Sequence, residues 1–309
     1  MIGDDSKKCP TCRASDIKKN GQSRGRQRYQ CRPCKSTFYR YKKSLDIGKL
    51  YHQYSYGRQT LEQLSETYEV SVRSLQQKFD EHAPLNGLIK PITKPVHIYL
   101  DATFFGHTFG VLVFRANGKN VYWEIIKTES KEAVECALET LDSICIGGYT
   151  GFSIDGKPGI RELLKQRYNL PVYMCLFHLQ QIIRRYTTLR PKTDCGQQIR
   201  RFSYSLRSRH HFSAEVALKV LIVIHKSFLL ERNENNQFMH RRLRSAIRSL
   251  KNNLPFLCLK PRCIIRTTNS CEGSFSHWKA KVKIHRKLRI DRKIKMINYL
   301  LAHDSISIS

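Results

Sequence analysis

Apolar and polar positions alternate through the middle of the chain and change to a helical period on either side. Val96-His-Ile-Tyr-Leu-Asp-Ala-Thr-Phe, Phe109-Gly-Val-Leu-Val-Phe-Arg and Val121-Tyr-Trp-Glu-Ile-Ile read as three strands, with the turn pair Asn117-Gly118 joining the last two. From Lys131 to Ile144 the period lengthens, and Val134, Leu138 and Leu141 fall on one helical face. Gly151-Phe-Ser-Ile reads as a short buried strand that ends at Asp155-Gly156. A helix over 159–168 and a strand over 172–177 complete the order β-β-β-α-β-α-β, with crossovers to parallel strands.

Upstream, Thr60-Leu-Glu-Gln-Leu-Ser-Glu-Thr-Tyr predicts a short helix that breaks near Glu69 and Val70, and Ser71 caps a second helix carrying Leu75 and Phe79. The pattern is that of a helix-turn-helix, in which Arg73, Gln76, Gln77 and Lys78 would meet DNA; a plain helical hairpin has the same pattern. The Pro-rich stretch 84–95 reads as a linker. Residues 179–260 are helix-rich, with Leu218, Leu221 and Ile222 on an apolar face and Arg241, Arg242 and Arg244 on a basic one.

Charge sharpens the picture. The formal net charge is +30, and it is uneven: residues 1–44 carry 13 basic and 3 acidic side chains, 45–178 carry 14 and 15, and 179–309 carry 28 and 7. Two basic blocks around a neutral centre suggest two surfaces that grip phosphates. The longest aliphatic run, Val220 to Ile224, is far short of a membrane span, and the first residues lack an apolar signal segment, so the expectation is a soluble protein of the cytoplasm with no membrane partner. Eleven cysteines, four of them in tight pairs, fit a reducing compartment.

Those pairs, Cys9-Pro-Thr-Cys12 and Cys31-Arg-Pro-Cys34, lie 18 residues apart, the spacing of a structural four-thiolate Zn2+ site. The basic strand between them holds Arg24, Arg26 and Arg28. Asp101 and Asp155 stand at the ends of two strands, where an Asp is often only a turn former. In a ribonuclease H-like core, to which the element order is suited, such carboxylates converge and hold two Mg2+ or Mn2+ ions. A third acid is sought in Thr267-Thr268-Asn269-Ser270-Cys271-Glu272-Gly273, before an amphipathic helix. Glu272 has the best context, against Asp194, Glu215, Glu231 and Glu234, and Lys279 lies nearly two turns beyond it on the same face. Lys281, Lys283, His285 and Arg286 extend this basic stretch as candidate DNA contacts.

Together, Asp101 after a strand, Ile154-Asp155-Gly156, Cys175-Leu-Phe-His178 and Thr267 to Gly273 resemble the Mutator-like DDE transposases and their bacterial insertion-sequence relatives. The resemblance spans essentially the whole chain. It implies Asp101, Asp155 and Glu272 as the metal-binding catalytic triad, and it matches Cys175 and His178 to the family's CxxH signature, whose role stays open. His285-Arg-Lys-Leu288 departs from it, since relatives tend to carry Gly after His-Arg.

The expected architecture is multidomain α/β. A zinc ribbon (1–43) and a helix-turn-helix (44–83) lead, through the linker, to a ribonuclease H-like core (96–178 and 261–309) interrupted by the helical insertion (179–260). The implied activity is Mg2+-dependent DNA cleavage and strand transfer at terminal inverted repeats, by a homodimer on double-stranded DNA in a bacterial nucleoid. A silent DNA-binding regulator and a structure-specific nuclease are the alternatives.

Overall fold

The computed structural model describes residues 8–23, 25–39, 45–82, 91–259, 269–285 and 288–305; the side chains of Arg26 and of residues 269–272 lie outside that description. The candidates Arg24 and Arg286, and most of the proline-rich stretch, also fall outside it.

Strands β1 (Ile17–Ser23), β2 (Arg26–Cys31) and β3 (Thr37–Tyr39) form an antiparallel sheet in chain order. Tyr29 stacks on Phe38 across its face. Three helices follow, α1 (Ile47–Ser55), α2 (Leu61–Tyr68) and α3 (Val72–Glu81). Local chemistry fixes their ends. Thr60 and Gln63 form a reciprocal capping box on α2, Glu69 ends it in the left-handed conformation, and Ser71 caps α3 by accepting from Ser74 N–H. The break expected near Glu69 and the restart at Ser71 are therefore both present.

Next come β4 (Val96–Phe105), β5 (Phe109–Ala116), β6 (Lys119–Ile126), α4 (Lys131–Ile144), β7 (Tyr149–Ile154), α5 (Pro158–Tyr168) and β8 (Val172–Met174). They build one five-stranded mixed sheet in the order β6-β5-β4-β7-β8, antiparallel on the β4-β5-β6 side and parallel across β4-β7-β8. The last strand is shorter than expected. It stops at Met174, because helix α6 (Leu176–Thr187) begins there with Cys175 at its N-cap.

Alternation along the strands sends side chains to two different cores. Ile98, Leu100, Leu112 and Phe114 pack under α4 and α5 with Val134, Leu138, Ile160 and Leu164. On the other face, Val111 and Val113 pack with Phe275 and Trp278 of α11 (Asn269–Ile284), Met296 and Leu300 of α12 (Ile290–His303), and Leu50, Leu64 and Leu75 of α1–α3. The DNA-reading candidate helices thus share a core with the sheet. A third core joins α6 to α7 (Asp194–Ser205), α8 (His211–Ile224), α9 (Lys226–Leu230) and α10 (Arg241–Asn253), through Leu179, Ile183, Ile199, Leu218 and Leu250. No described helix is long and apolar enough to cross a membrane.

Candidate functional site

The sheet register brings the two aspartates together. Parallel β4 and β7 pair Ile98 with Phe152 and Tyr99 with Ser153, so the same register carried two residues further sets Asp101 level with Asp155. On the other side of β7, Ile154 pairs with Met174, and Cys175 N–H donates to the Ile154 carbonyl (2.8 Å), which sets Cys175 level with Asp155. Gly156 permits this close approach. Its φ is +96°, and a Cβ there would lie 2.8 Å from Met174 Cε.

Asp101 is buried, its Oδ1 accepts from Ala102 N–H (2.9 Å), and its Oδ2 lies 3.9 Å from His178 Nε2. Asp155 is half-buried, and its Oδ1 accepts from Lys157 N–H (3.2 Å). Burial alone would lower the His178 pKa, but the Cys175 side chain and the two carboxylates raise it to about 9.

His178 sits in the first turn of α6, not on a strand. The apolar run Val-Tyr-Met-Cys-Leu-Phe does not distinguish strand from helix by period, and the chain turns helical at Leu176. A further acid was not foreseen. Glu129, just before α4, is largely buried and ion-paired with Lys157 Nζ. Burial raises its pKa, Lys157 opposes that shift, and the Asp155 charge adds to it. Its only signal in the sequence was an acid one residue ahead of the Ser130 N-cap.

Glu272 lies in the first turn of α11, and its side chain is outside the described residues. The helix backbone is well tied. Two residues on, Ser274 Oγ accepts from buried Arg115 of β5 (2.7 Å), and Phe275 and Trp278 pack on the sheet face that Tyr99 and Asp101 share. Among the described residues, the only group of three or more His, Cys, Asp or Glu whose ligand atoms close within 4.8 Å is the cysteine cluster.

That cluster is Cys9, Cys12, Cys31 and Cys34, with Sγ–Sγ distances of 3.6 Å for Cys9–Cys34 and 3.5 Å for Cys12–Cys31. A tetrahedral zinc with Zn–S near 2.3 Å needs sulfurs about 3.8 Å apart, so the four fit the ion. The two knuckles repeat one backbone pattern. Arg13 (φ 58°) and Lys35 (φ 61°) donate to the Cys9 and Cys31 carbonyls at 2.8 and 3.0 Å. Burial would raise the Cys9 thiol, yet hydrogen bonds from Ser36 and the backbone bring it down to about 5. The Cys34 N–H favours the Cys31 thiolate, yet burial and the neighbouring thiols push Cys31 up to about 12. Four thiolates this close need a cation to ionise together. Elsewhere Cys136, Cys145 and Cys195 form no disulfide, whereas Cys258 is disulfide-bonded, a departure from the reduced set expected of a reducing compartment.

The basic candidates separate into two groups. Arg73 and Gln77 of α3, Arg241 and Arg242 of α10, and Lys279 and Lys283 of α11 are exposed, while Gln76, Lys78 and Arg244 are half-buried. Arg244 lies over the Phe238 ring at 3.5 Å. Arg28 donates to the Asn20 carbonyl across β1 and β2 (3.1 Å). Lys281 and His285 turn inward, contrary to their reading as DNA contacts. Lys281 is 1% exposed, sits 3.4 Å from the Tyr56 ring centroid and donates to the Tyr56 carbonyl. His285 is 7% exposed, bonds the Tyr54 carbonyl at 2.9 Å and packs on the Tyr54 ring.

No family model matches the chain, and no curated protein matches it. Among solved structures, the chain is similar in part to one in the cryo-EM structure of the simian T-cell lymphotropic virus intasome in complex with PP2A regulatory subunit B56 gamma. The identity is 13%, over 79% of this chain and 76% of that chain, with a TM-score of 0.23. So slight a likeness carries no argument about function.

Proposed function

We propose that the chain is a DNA transposase of the Mutator-like DDE type, with a ribonuclease H-like core. The observation that carries the reading is the level placement of Asp101 and Asp155 on adjacent parallel strands, on the sheet face crossed by the helix that bears Glu272. The exposed bases of α3, α10 and α11 and the +30 charge support duplex DNA as the partner.

In this reading Asp101, Asp155 and Glu272 would hold Mg2+. When bound, the ions supply Lewis acidity that favours an oxygen nucleophile and stabilises the leaving 3′ oxygen. The residues themselves position and exclude. Asp101 is fixed by the Ala102 N–H, Asp155 by the Lys157 N–H, and Arg115 anchors the helix of Glu272 through Ser274. Water or a 3′-hydroxyl is the nucleophile for cleavage or strand transfer, so no covalent protein intermediate forms. The four cysteines would hold structural Zn2+, and the ribbon with α2–α3 would read the terminal inverted repeats.

The test is incubation with linear DNA carrying the flanking repeats, in Mg2+ or EDTA, beside Asp155→Asn and Glu272→Gln. Repeat-specific cleavage leaving a 3′-hydroxyl, absent in EDTA and in both variants, is the expected result. Tight repeat binding without cleavage under any metal would replace this reading by the silent regulator, and preference for a four-way junction over the repeat by the structure-specific nuclease.

A further inference from the structure

Helix α8 is apolar on both sides. One side, with Ala214, Leu218 and Leu221, is buried in the insertion's own core. The other is bare: Phe212 is 79% exposed, Val216 43%, Val220 51%, Val223 71% and Ile224 61%. Surface helices normally present charge there, and a contiguous apolar stripe of this kind marks an interaction surface. The stripe is itself one wall of an open groove of about 610 Å3 between α7 and α8, which Phe202 and Ala217 also line.

Two features of the stripe specify its occupant. First, Phe212, Val216, Val220 and Ile224 are spaced by four and placed symmetrically about Leu218, so a reversed copy of the helix presents 224 opposite 212 and 220 opposite 216. Rows spaced by four interdigitate with like rows at a crossing of about −50°, the commonest helix pairing in globular proteins. Second, on the side of the stripe away from α7 stand Glu215 and Lys219, both exposed, while Arg201 and Arg209 line the α7 side. Across a two-fold axis the same flank meets itself, so Glu215 of each copy faces Lys219 of the other in two reciprocal pairs. An isologous contact places apolar on apolar and acid on base, and in a chain of net charge +30 this flank is locally neutral.

We propose that the exposed stripe of α8 is the homodimer interface of this protein, a second copy packing its own α8 antiparallel across a two-fold axis near Leu218. The stripe is about 20 Å long at 1.5 Å per residue, and the groove it walls receives the protruding Phe212 of the partner. The inference does not rest on turnover of DNA by the carboxylates.

The experiment is sedimentation equilibrium of the full chain without DNA or Mg2+, on wild type, Val220→Asp, Glu215→Lys, Lys219→Glu and the double swap. All substituted positions are exposed, and far-ultraviolet circular dichroism checks that each variant folds. Wild type should approach twice the 36.2 kDa of one chain. Each single swap converts two attractions into two repulsions and should weaken association roughly tenfold, while the double swap restores it. Val220→Asp, which buries carboxylates at the contact, should weaken it by about a hundredfold or more. A monomeric wild type, a dimer indifferent to Val220→Asp, or a double swap no better than the single ones would each overturn the proposal.

Discussion

Lys279, Lys281 and Lys283 stand at alternate positions of one basic segment, and they should behave as two kinds of residue. On an α-helix, 279 and 281 are about 200° apart, so one faces out when the other faces in. Lys281→Ala removes the three methylenes beyond Cβ, about 2.4 kcal/mol at roughly 0.8 each. It also removes a charged hydrogen bond to the Tyr56 carbonyl, about 2 kcal/mol, and a cation–π contact, about 1 kcal/mol. Against this, freeing an ammonium from its buried site returns about 3 kcal/mol. The net loss is about 2 kcal/mol, a fall in Tm of roughly 4–8 °C for a cooperative unit of this size. Lys279→Ala and Lys283→Ala should leave Tm within about 2 °C. DNA binding should show the reverse. Titrating duplex DNA at several salt concentrations, each exposed lysine that meets a phosphate should lower the slope of log K against log salt by about 0.9, and Lys281→Ala should not change it. Were Lys281→Ala to reduce the slope by that amount with Tm unchanged, the inward packing of the α11 face would be wrong, and the stability ledger with it.

Three further outcomes follow from particular contacts. One zinc per chain should be lost on Cys31→Ser, with protease sites opening within residues 8–39 while the five-stranded sheet persists by circular dichroism; retention of full zinc stoichiometry would refute the four-thiolate site. Gly156→Ala should cost about 1–3 kcal/mol in chemical denaturation, because φ is +96° and Met174 occupies the Cβ position; an unchanged midpoint would show that the turn relaxes freely. His97, half-buried beside Ser153 (2.8 Å), has its pKa lowered by desolvation to about 4. A depressed folded value means that stability is full above the unfolded value near 6.5 and declines as pH falls from there toward 4, by roughly 2–3 kcal/mol. Tm measured from pH 7 to 4.5 should therefore fall less in His97→Gln than in wild type, and parallel curves would remove His97 from the account.

The central sheet and the two short helices were legible because each carries a pattern of its own: alternation in β4, a four-residue apolar repeat in α4, and Ser and Thr caps on α2 and α3. The four cysteines were legible from spacing alone. Other signals were available and outweighed. Asp46 caps α1 by accepting from Lys49 N–H, and Leu50, Tyr51 and Tyr54 lie on its buried side, a cap and an apolar face of the same kind that marked α2 and α3. Trp278, Lys281, Val282 and His285 fall at i, i+3, i+4 and i+7, an inner-face pattern hidden by two members that look like solvent-facing bases. Glu129 was not legible, because an acid in a loop acquires meaning only when the fold sets Lys157 against it.

The inward residues of α11 also tie α1 to the helices that lie on the sheet. Lys281 and His285 bond the Tyr56 and Tyr54 carbonyls at the end of α1, and His52 meets Tyr299 of α12 at 3.1 Å. Arg292 of α12 pairs with both oxygens of Asp80 on α3 (2.8 and 2.6 Å), and Lys295 donates to the Phe79 and Asp80 carbonyls. Helices α1 and α3 are thus held at their carbonyl ends by Lys281 of α11 and by Lys295 of α12, a favourable arrangement since those ends carry the negative pole of each helix dipole. The Asp80–Arg292 pair joins α3 to α12, which packs on the same core as α11. α11 bears Glu272 at its far end, anchored by Ser274 to Arg115. In the proposed function these packed, charge-assisted contacts link the DNA-reading helix to the third acid, and Arg292→Ala should loosen that link without touching DNA or either aspartate.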